Sequence, residues 1–129
     1  MSYDPFRHAE REGIRVLAHP LIGANGLWLP ARRTILLRPG MSSALERSVL
    51  AHELAHAELG HVHAAGPGST RQERAADRLA ARRLIDPAAL ARIVAGTEDA
   101  GRAALELGVT PQLLRLWLAE HGPLLPAAA

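Results

Sequence analysis

The chain has 129 residues, 15 Arg and no Lys against 13 acidic residues, no Cys, and 48% hydrophobic content. This length fits one domain of ordinary size. The missing thiols exclude a disulfide framework, a cysteine nucleophile and a thiolate-held metal, so nitrogen and oxygen ligands from seven His and the carboxylates must hold any metal. Residues 1–13 are charged and broken by Pro5, with no apolar core for a signal peptide, and no later stretch reaches the ~20 uncharged residues of a membrane span. A soluble, cytoplasmic protein is expected. The pI near 10.3 reflects cations that are all Arg rather than a large excess of them, because the net charge is only +2.

Asp4-Pro5 is an N-cap followed by proline at the first helical position, which predicts a short helix ending near Gly13. Ile14–Ala18, Gly26–Leu29 and Arg33–Arg38, separated by Pro20, Asn25-Gly26 and Pro30, read as three strands of a small antiparallel sheet. Ser43 with Glu46 forms a capping-box pattern that opens a long helix toward Gly60, with Leu45, Val49, Leu50, Leu54 and Ala57 at helical spacing. Residues 61–69 lose this periodicity and read as a loop. Thr70 is the expected cap of a second helix, striped by Ala75, Ala76, Leu79, Ala80, Leu84 and Ile85. Asp86-Pro87 starts a third, Thr97 and Thr110-Pro111 cap two more, and the Pro- and Ala-rich tail from Gly122 is expected to fray. The expected fold is α+β: a small antiparallel three-stranded sheet packed on the long helix, with further helices at the C-terminus. Its divisions are residues 1–95, a helical segment 96–121 packed on them, and a flexible tail 122–129.

The long helix contains His52-Glu53-Leu54-Ala55-His56, an HExxH pattern. Two His four residues apart lie about 40° apart around a helix, so both rings can face one ion, while Glu53, about 100° from His52, can reach a water there without ligating. Imidazole ligands with an adjacent carboxylate base are the equipment of a zinc hydrolase. Random placement at this composition gives about 0.03 such matches, so coincidence is a poor account of a motif inside a capped, periodic helix.

A catalytic zinc needs a third protein ligand and an open position. The metzincin spacing is absent, since Leu59 and Val62 occupy the positions where Gly and His would stand. Glu73 on the next helix is the candidate ligand, with Asp77 one turn later placed to accept the second ring proton of His52. Thr70 and Glu73 also read as a capping box, and Asp77 could instead pair with Arg74 or Arg78. Donors for a developing oxyanion are sought among Tyr3, His61, His63 and the Arg residues, with His63 a possible transition-state donor at the site mouth. His8, His19 and His121 read as surface groups, and Trp28 and Trp117 as core anchors.

The run LAHELAHAELGH, the strand ending in Arg38-Pro39-Gly40 before it, and the block Glu73, Ala76, Asp77, Leu79, Ala80 after it resemble the ImmA/IrrE family of metallopeptidases, a gluzincin-like group. The resemblance covers residues 13–86. It implies Zn²⁺ bound by His52, His56 and Glu73, Glu53 as general base, and a substrate that is a helix-turn-helix repressor, in phage, mobile-element or stress settings. It also implies that the strand near Thr34–Arg38 is the edge that takes the substrate peptide by strand addition. The chain is short, so the large C-terminal sensory domain of some members is not expected.

Residues 103–118 form a helix-turn-helix-like pair split at Gly108. Its second helix offers only Gln112 and Arg115 to a nucleic acid, among Leu113, Leu114, Leu116, Trp117 and Leu118, which argues against direct DNA binding. Two other readings stand beside the zinc metalloendopeptidase: a catalytically inactive zinc-binding anti-repressor acting by contact, and a small DNA-binding regulator using these helices. Nothing in the sequence specifies an oligomeric state.

Overall fold

A computed structural model of the protein describes residues 3–61 and 67–122. Helix α1 (Pro5–Arg11) starts where Asp4 accepts hydrogen bonds from the Phe6 and Arg7 amides. Three strands follow, β1 (Arg15–Ala18), β2 (Gly26–Leu29) and β3 (Thr34–Leu37). The α+β class holds, but the sheet is mixed rather than antiparallel. Its order is β1-β3-β2, with β1 parallel to β3 and β2 antiparallel to it. The chain leaves β1, crosses to the far edge as β2, then turns back through Pro30–Arg32 to enter the middle. Strand β3 therefore has neighbours on both sides and is not the edge. Burial agrees, since Ile35 is completely buried whereas β1 is mostly exposed.

Helix α2 (Ser43–Leu59) begins at Ser43, as expected, but its cap is the residue before, because the hydroxyl of Ser42, not Ser43, accepts from the Leu45 amide. Helix α3 (Pro67–Leu84) begins at Pro67, so Thr70 lies inside it rather than at its cap. A proline suits the first turn, where its missing N–H has no partner to lose. Helix α4 (Pro87–Gly96) is capped by Asp86 and α6 (Pro111–His121) by Thr110, as expected. The cap of α5 (Ala100–Leu107) is Asp99 rather than Thr97; the Thr97 hydroxyl instead receives the Asp99 amide.

Helix α2 is sandwiched. Leu50 and Leu54 face the sheet and pack with Ala9, Ile14, Trp28, Ile35 and Leu37. Ala51, about a quarter-turn round, faces a second core made by α3, α4, α5 and α6 with Leu84, Ile85, Leu90, Leu114 and Trp117. Trp28 and Trp117 are thus both core residues. The C-terminal helices are tied to α2 by polar contacts too. The Thr110 amide donates to the hydroxyl of buried Ser48 at 3.3 Å, and the Arg47 guanidinium donates to the carbonyls of Gly108, Leu107 and Tyr3. With both flanks buried, the remaining stripe of α2 opens onto a cleft. No helix among the described residues is long and apolar enough to cross a membrane.

Candidate metal centre

The cleft, about 610 Å³, is bounded by the β1–β2 loop and the start of β2 (Ala24, Asn25, Gly26), by α2, by Glu73 and Asp77 of α3, and by the first turns of α6. His52 lines it, and His56 stands one turn further along α2 with its Nε2 3.0 Å from that of His52. Two ring nitrogens that close share at most one proton, and both also meet the Glu73 carboxylate: His52 Nε2 at 2.7 Å and His56 Nε2 at 3.0 Å. The three groups close a triangle in which Glu73 uses both its oxygens, Oε2 toward His52 at 2.7 Å and Oε1 toward His56 at 3.0 Å, with the two Nε2 atoms 3.0 Å apart. A tetrahedral zinc site with bonds of ~2.0 Å has ligand–ligand edges of about 3.3 Å, so this donor set fits such an ion after a small outward relaxation.

Each ring has a partner that fixes its orientation. The Asp77 carboxylate accepts from His52 Nδ1 at 2.7 Å, which turns Nε2 inward. Burial opposes charging of His52, but the Asp77 hydrogen bond and the charges of Glu53, Asp77 and Glu73 outweigh it and lift its pKa to about 9. His56 moves the other way, kept below the usual imidazole value by burial and by the neighbouring His52 charge. Its Nδ1 lies 2.9 Å from Nδ1 of His61. Sequence reasoning weighed His61 only as an oxyanion donor and missed this pairing. The signal was Gly60: in the left-handed region (φ 72°), it turns the chain so that the His61 amide reaches back to the His56 carbonyl at 2.9 Å, folding one His over the other.

Glu53 stands apart from the triangle. It shares with His52 and His56 a set of potential ligand atoms all within 4.8 Å of one another. Its side of α2 turns toward β2, where the Trp28 backbone N–H donates to its carboxylate. Burial is the main force raising its pKa to about 7, assisted by the Glu73 and Asp77 charges and opposed by His52 and the Trp28 amide. Its Oε1 is buried without a hydrogen-bond partner among the described residues. A carboxylate one oxygen short of satisfaction, beside two inward-facing imidazoles, is disposed to take a proton from a water between them.

The chain matches the family described as Peptidase_M78, IrrE N-terminal-like domain, over residues 9–116. It belongs to that family. No curated protein matches it significantly. In this Peptidase_M78 member the group His52, Glu53 and His56 on α2 fits the HExxH motif of a metallopeptidase. Of the proposed oxyanion donors, Tyr3 is not brought to the cleft. Its hydroxyl bonds His8 Nδ1 at 2.5 Å, and Arg83 lies 6.0 Å from its ring centroid. His8 is correspondingly half-buried rather than a plain surface group. His121 stacks on Trp117. His63 and residues 123–129 of the tail lie outside the described residues. Sequence reasoning also missed Gly26 and the contribution of α6 to the cleft.

Two predictions arise here. A Cβ at Gly26 would stand 2.6 Å from Val49 Cγ1 and 3.1 Å from Glu53 Cγ. Valine is stiff at χ1 and cannot swing aside, so Gly26→Ala should push β2 off α2, costing about 1–3 kcal/mol in urea melts and weakening the Trp28–Glu53 bond. Separately, Glu53 and His52 both hold protons more tightly in the folded metal-free protein than in the unfolded chain. Their stabilising contribution is complete below the ordinary values of 4.5 and 6.5, and is lost as pH rises through about 7 and about 9. Because the lowered pKa values of His56 and His8 add stability as pH rises through the ordinary imidazole range, the fall is to be read above it: the metal-free protein should melt a few degrees lower at pH 9 than at pH 7. A flat or rising Tm over that interval would contradict the assignment.

Proposed function

We propose that the protein is a zinc-dependent metalloendopeptidase whose substrate is a helix-turn-helix transcriptional repressor. The observation that carries the hydrolytic part is the triangle of His52, His56 and Glu73 with buried Glu53 beside it. His52 Nε2, His56 Nε2 and the Glu73 carboxylate would hold the zinc ion, which when bound supplies Lewis acidity to a water molecule and a scissile carbonyl. Asp77 and His61 hold the two rings with Nε2 facing the site. Glu53 takes the proton of the attacking water and returns it to the leaving amine, work for which a pKa of about 7 suits a carboxylate at neutral pH. The substrate chain lies along β2 in extended form, since β2, not β3, is the strand bordering the cleft, with Gly26 in its lining.

The repressor substrate rests on family resemblance and is tested by incubating zinc-loaded protein with the helix-turn-helix repressor encoded nearest its gene. The expected result is two discrete repressor fragments. An intact repressor that nevertheless leaves its operator in a mobility-shift assay would favour the anti-repressor reading. Salt-sensitive, sequence-selective operator binding by this protein alone would favour DNA recognition through α5 and α6. Against that last reading, Gln112 contributes to the cleft wall and the apolar residues Leu113, Leu114 and Trp117 are buried.

A further inference from the structure

The cleft has a second half that the hydrolytic residues do not use. Leu45, Val49, His52 and His56 occupy positions i, i+4, i+7 and i+11 of α2, within a stripe about 60° wide. The metal-side half of this stripe is imidazole, and the other half is aliphatic. Opposite Leu45 and Val49 stand Leu113 and Leu116 of α6, lining the same cleft. The polar atoms between these walls are largely engaged with one another. The Ser48 hydroxyl accepts the Thr110 amide, and the Thr110 hydroxyl accepts the Leu113 amide. Arg47, the nearest cation in sequence, is turned away to the carbonyls of Gly108, Leu107 and Tyr3. The carboxylates that line the cleft, Glu53, Glu73 and Asp77, stand with His52 at its metal end, so an anionic side chain entering the aliphatic half would lose water and meet no cation among the residues lining that half.

We propose that Leu45, Val49, Leu113 and Leu116 form a specificity subsite for a large aliphatic side chain on a residue flanking the scissile bond. The inference rests on the metallopeptidase reading. At 1.5 Å per residue, Val49 lies about 4.5 Å and Leu45 about 10.5 Å from His52 along the helix axis. Same-face side chains of an extended peptide recur about every 6.8 Å. A peptide laid along β2 with its carbonyl at the His52–His56 rings brings a side chain within this span of Val49 and Leu45, which line the same cleft as Gly26 of β2. Leucine, isoleucine or methionine fills the gap to Leu116, whereas glycine leaves it wet. Discrimination between them of about tenfold or more is expected.

The test has a binding arm and a cleavage arm, both on the full zinc-loaded chain. In the first, methyl NMR follows titration with N-acetyl-leucinamide and N-acetyl-glycinamide. The leucine amide should shift the Val49, Leu113 and Leu116 methyls saturably and at least tenfold more tightly than the glycine amide. Leu116→Asp should abolish this with zinc stoichiometry unchanged, and Leu45→Ala, which leaves α6 untouched, should weaken it severalfold. Equal binding of the two amides, or shifts confined to other methyls, would overturn the subsite. In the second arm, cleavage sites in unfolded casein are sequenced. Aliphatic enrichment beside the cut, shifted by Leu45→Ala through KM rather than kcat, supports the subsite. Cleavage with no such enrichment overturns it and leaves the peptidase standing. Leucinamide binding at these methyls without any cleavage would sink the peptidase and with it the subsite's place beside a scissile bond, leaving an aliphatic binding pocket alone.

Discussion

Glu53→Gln is expected to lower peptide hydrolysis about a thousandfold while leaving metal content near one per chain. Glutamine keeps the shape of the side chain and an oxygen that can accept the Trp28 amide, so the register between β2 and α2 is preserved. What it removes is the capacity to take and return a proton. It also removes an ionisable group whose charging burial disfavours, so the variant should be no less stable than the wild type at pH 8. Elemental analysis, thermal melting and a fluorogenic-peptide assay on the same preparations separate these effects. Full activity in Glu53→Gln would sink the general-base assignment; loss of metal together with activity would make Glu53 a ligand.

Glu73→Ala should empty the site of metal under conditions in which the wild type retains it against a moderate chelator. The Glu73 carboxylate is the third edge of the donor triangle, and without it only two imidazoles remain, at most a weak site. Asp77→Asn provides the contrast. Asp77 touches Nδ1 of His52, on the side of the ring away from the triangle, so its loss should weaken metal affinity by about 10–100-fold without abolishing it. Competition titrations with a chromophoric chelator rank the two. Equal losses in both variants, or a stronger loss in Asp77→Asn, would reverse the roles given to these carboxylates.

Much of the site was legible because its signals are local. The His52–His56 spacing, the caps at Asp4, Asp86 and Thr110, and the apolar stripe of α2 depend on neighbours within a few residues. Glu73 and Asp77 could be nominated only as a one-turn carboxylate pair, since their meeting with His52 joins residues 21 and 25 apart. Strand pairing was less legible. Turn residues mark where β1, β2 and β3 begin and end, but the placement of β3 between the other two comes from packing Ile35, Leu37 and Trp28 on Leu50 and Leu54, which no strand carries by itself. The strand expected to be the substrate edge, β3, lies inside the sheet for that reason. The antiparallel reading failed for the same cause, as β1 meets β3 only after the chain has crossed the sheet. The α6 wall was hidden differently: Leu113 and Leu116 look like ordinary core positions until α5 and α6 dock on α2.

The guanidinium of Arg47 has a mechanical consequence for that docking. Its donors join the carbonyl of Tyr3, from the start of the chain, to those of Leu107 and Gly108, from the turn between α5 and α6. A hinge needs a compliant joint, and here the joint is a delocalised cation held by three carbonyls. Swinging α5 and α6 outward would leave it without those acceptors and would drag the Thr110 amide off Ser48 in the same stroke. The turn between α5 and α6, which leads into one wall of the cleft, is thereby fastened to α2 at two points, Arg47 and Ser48, so widening the cleft costs both sets of bonds at once.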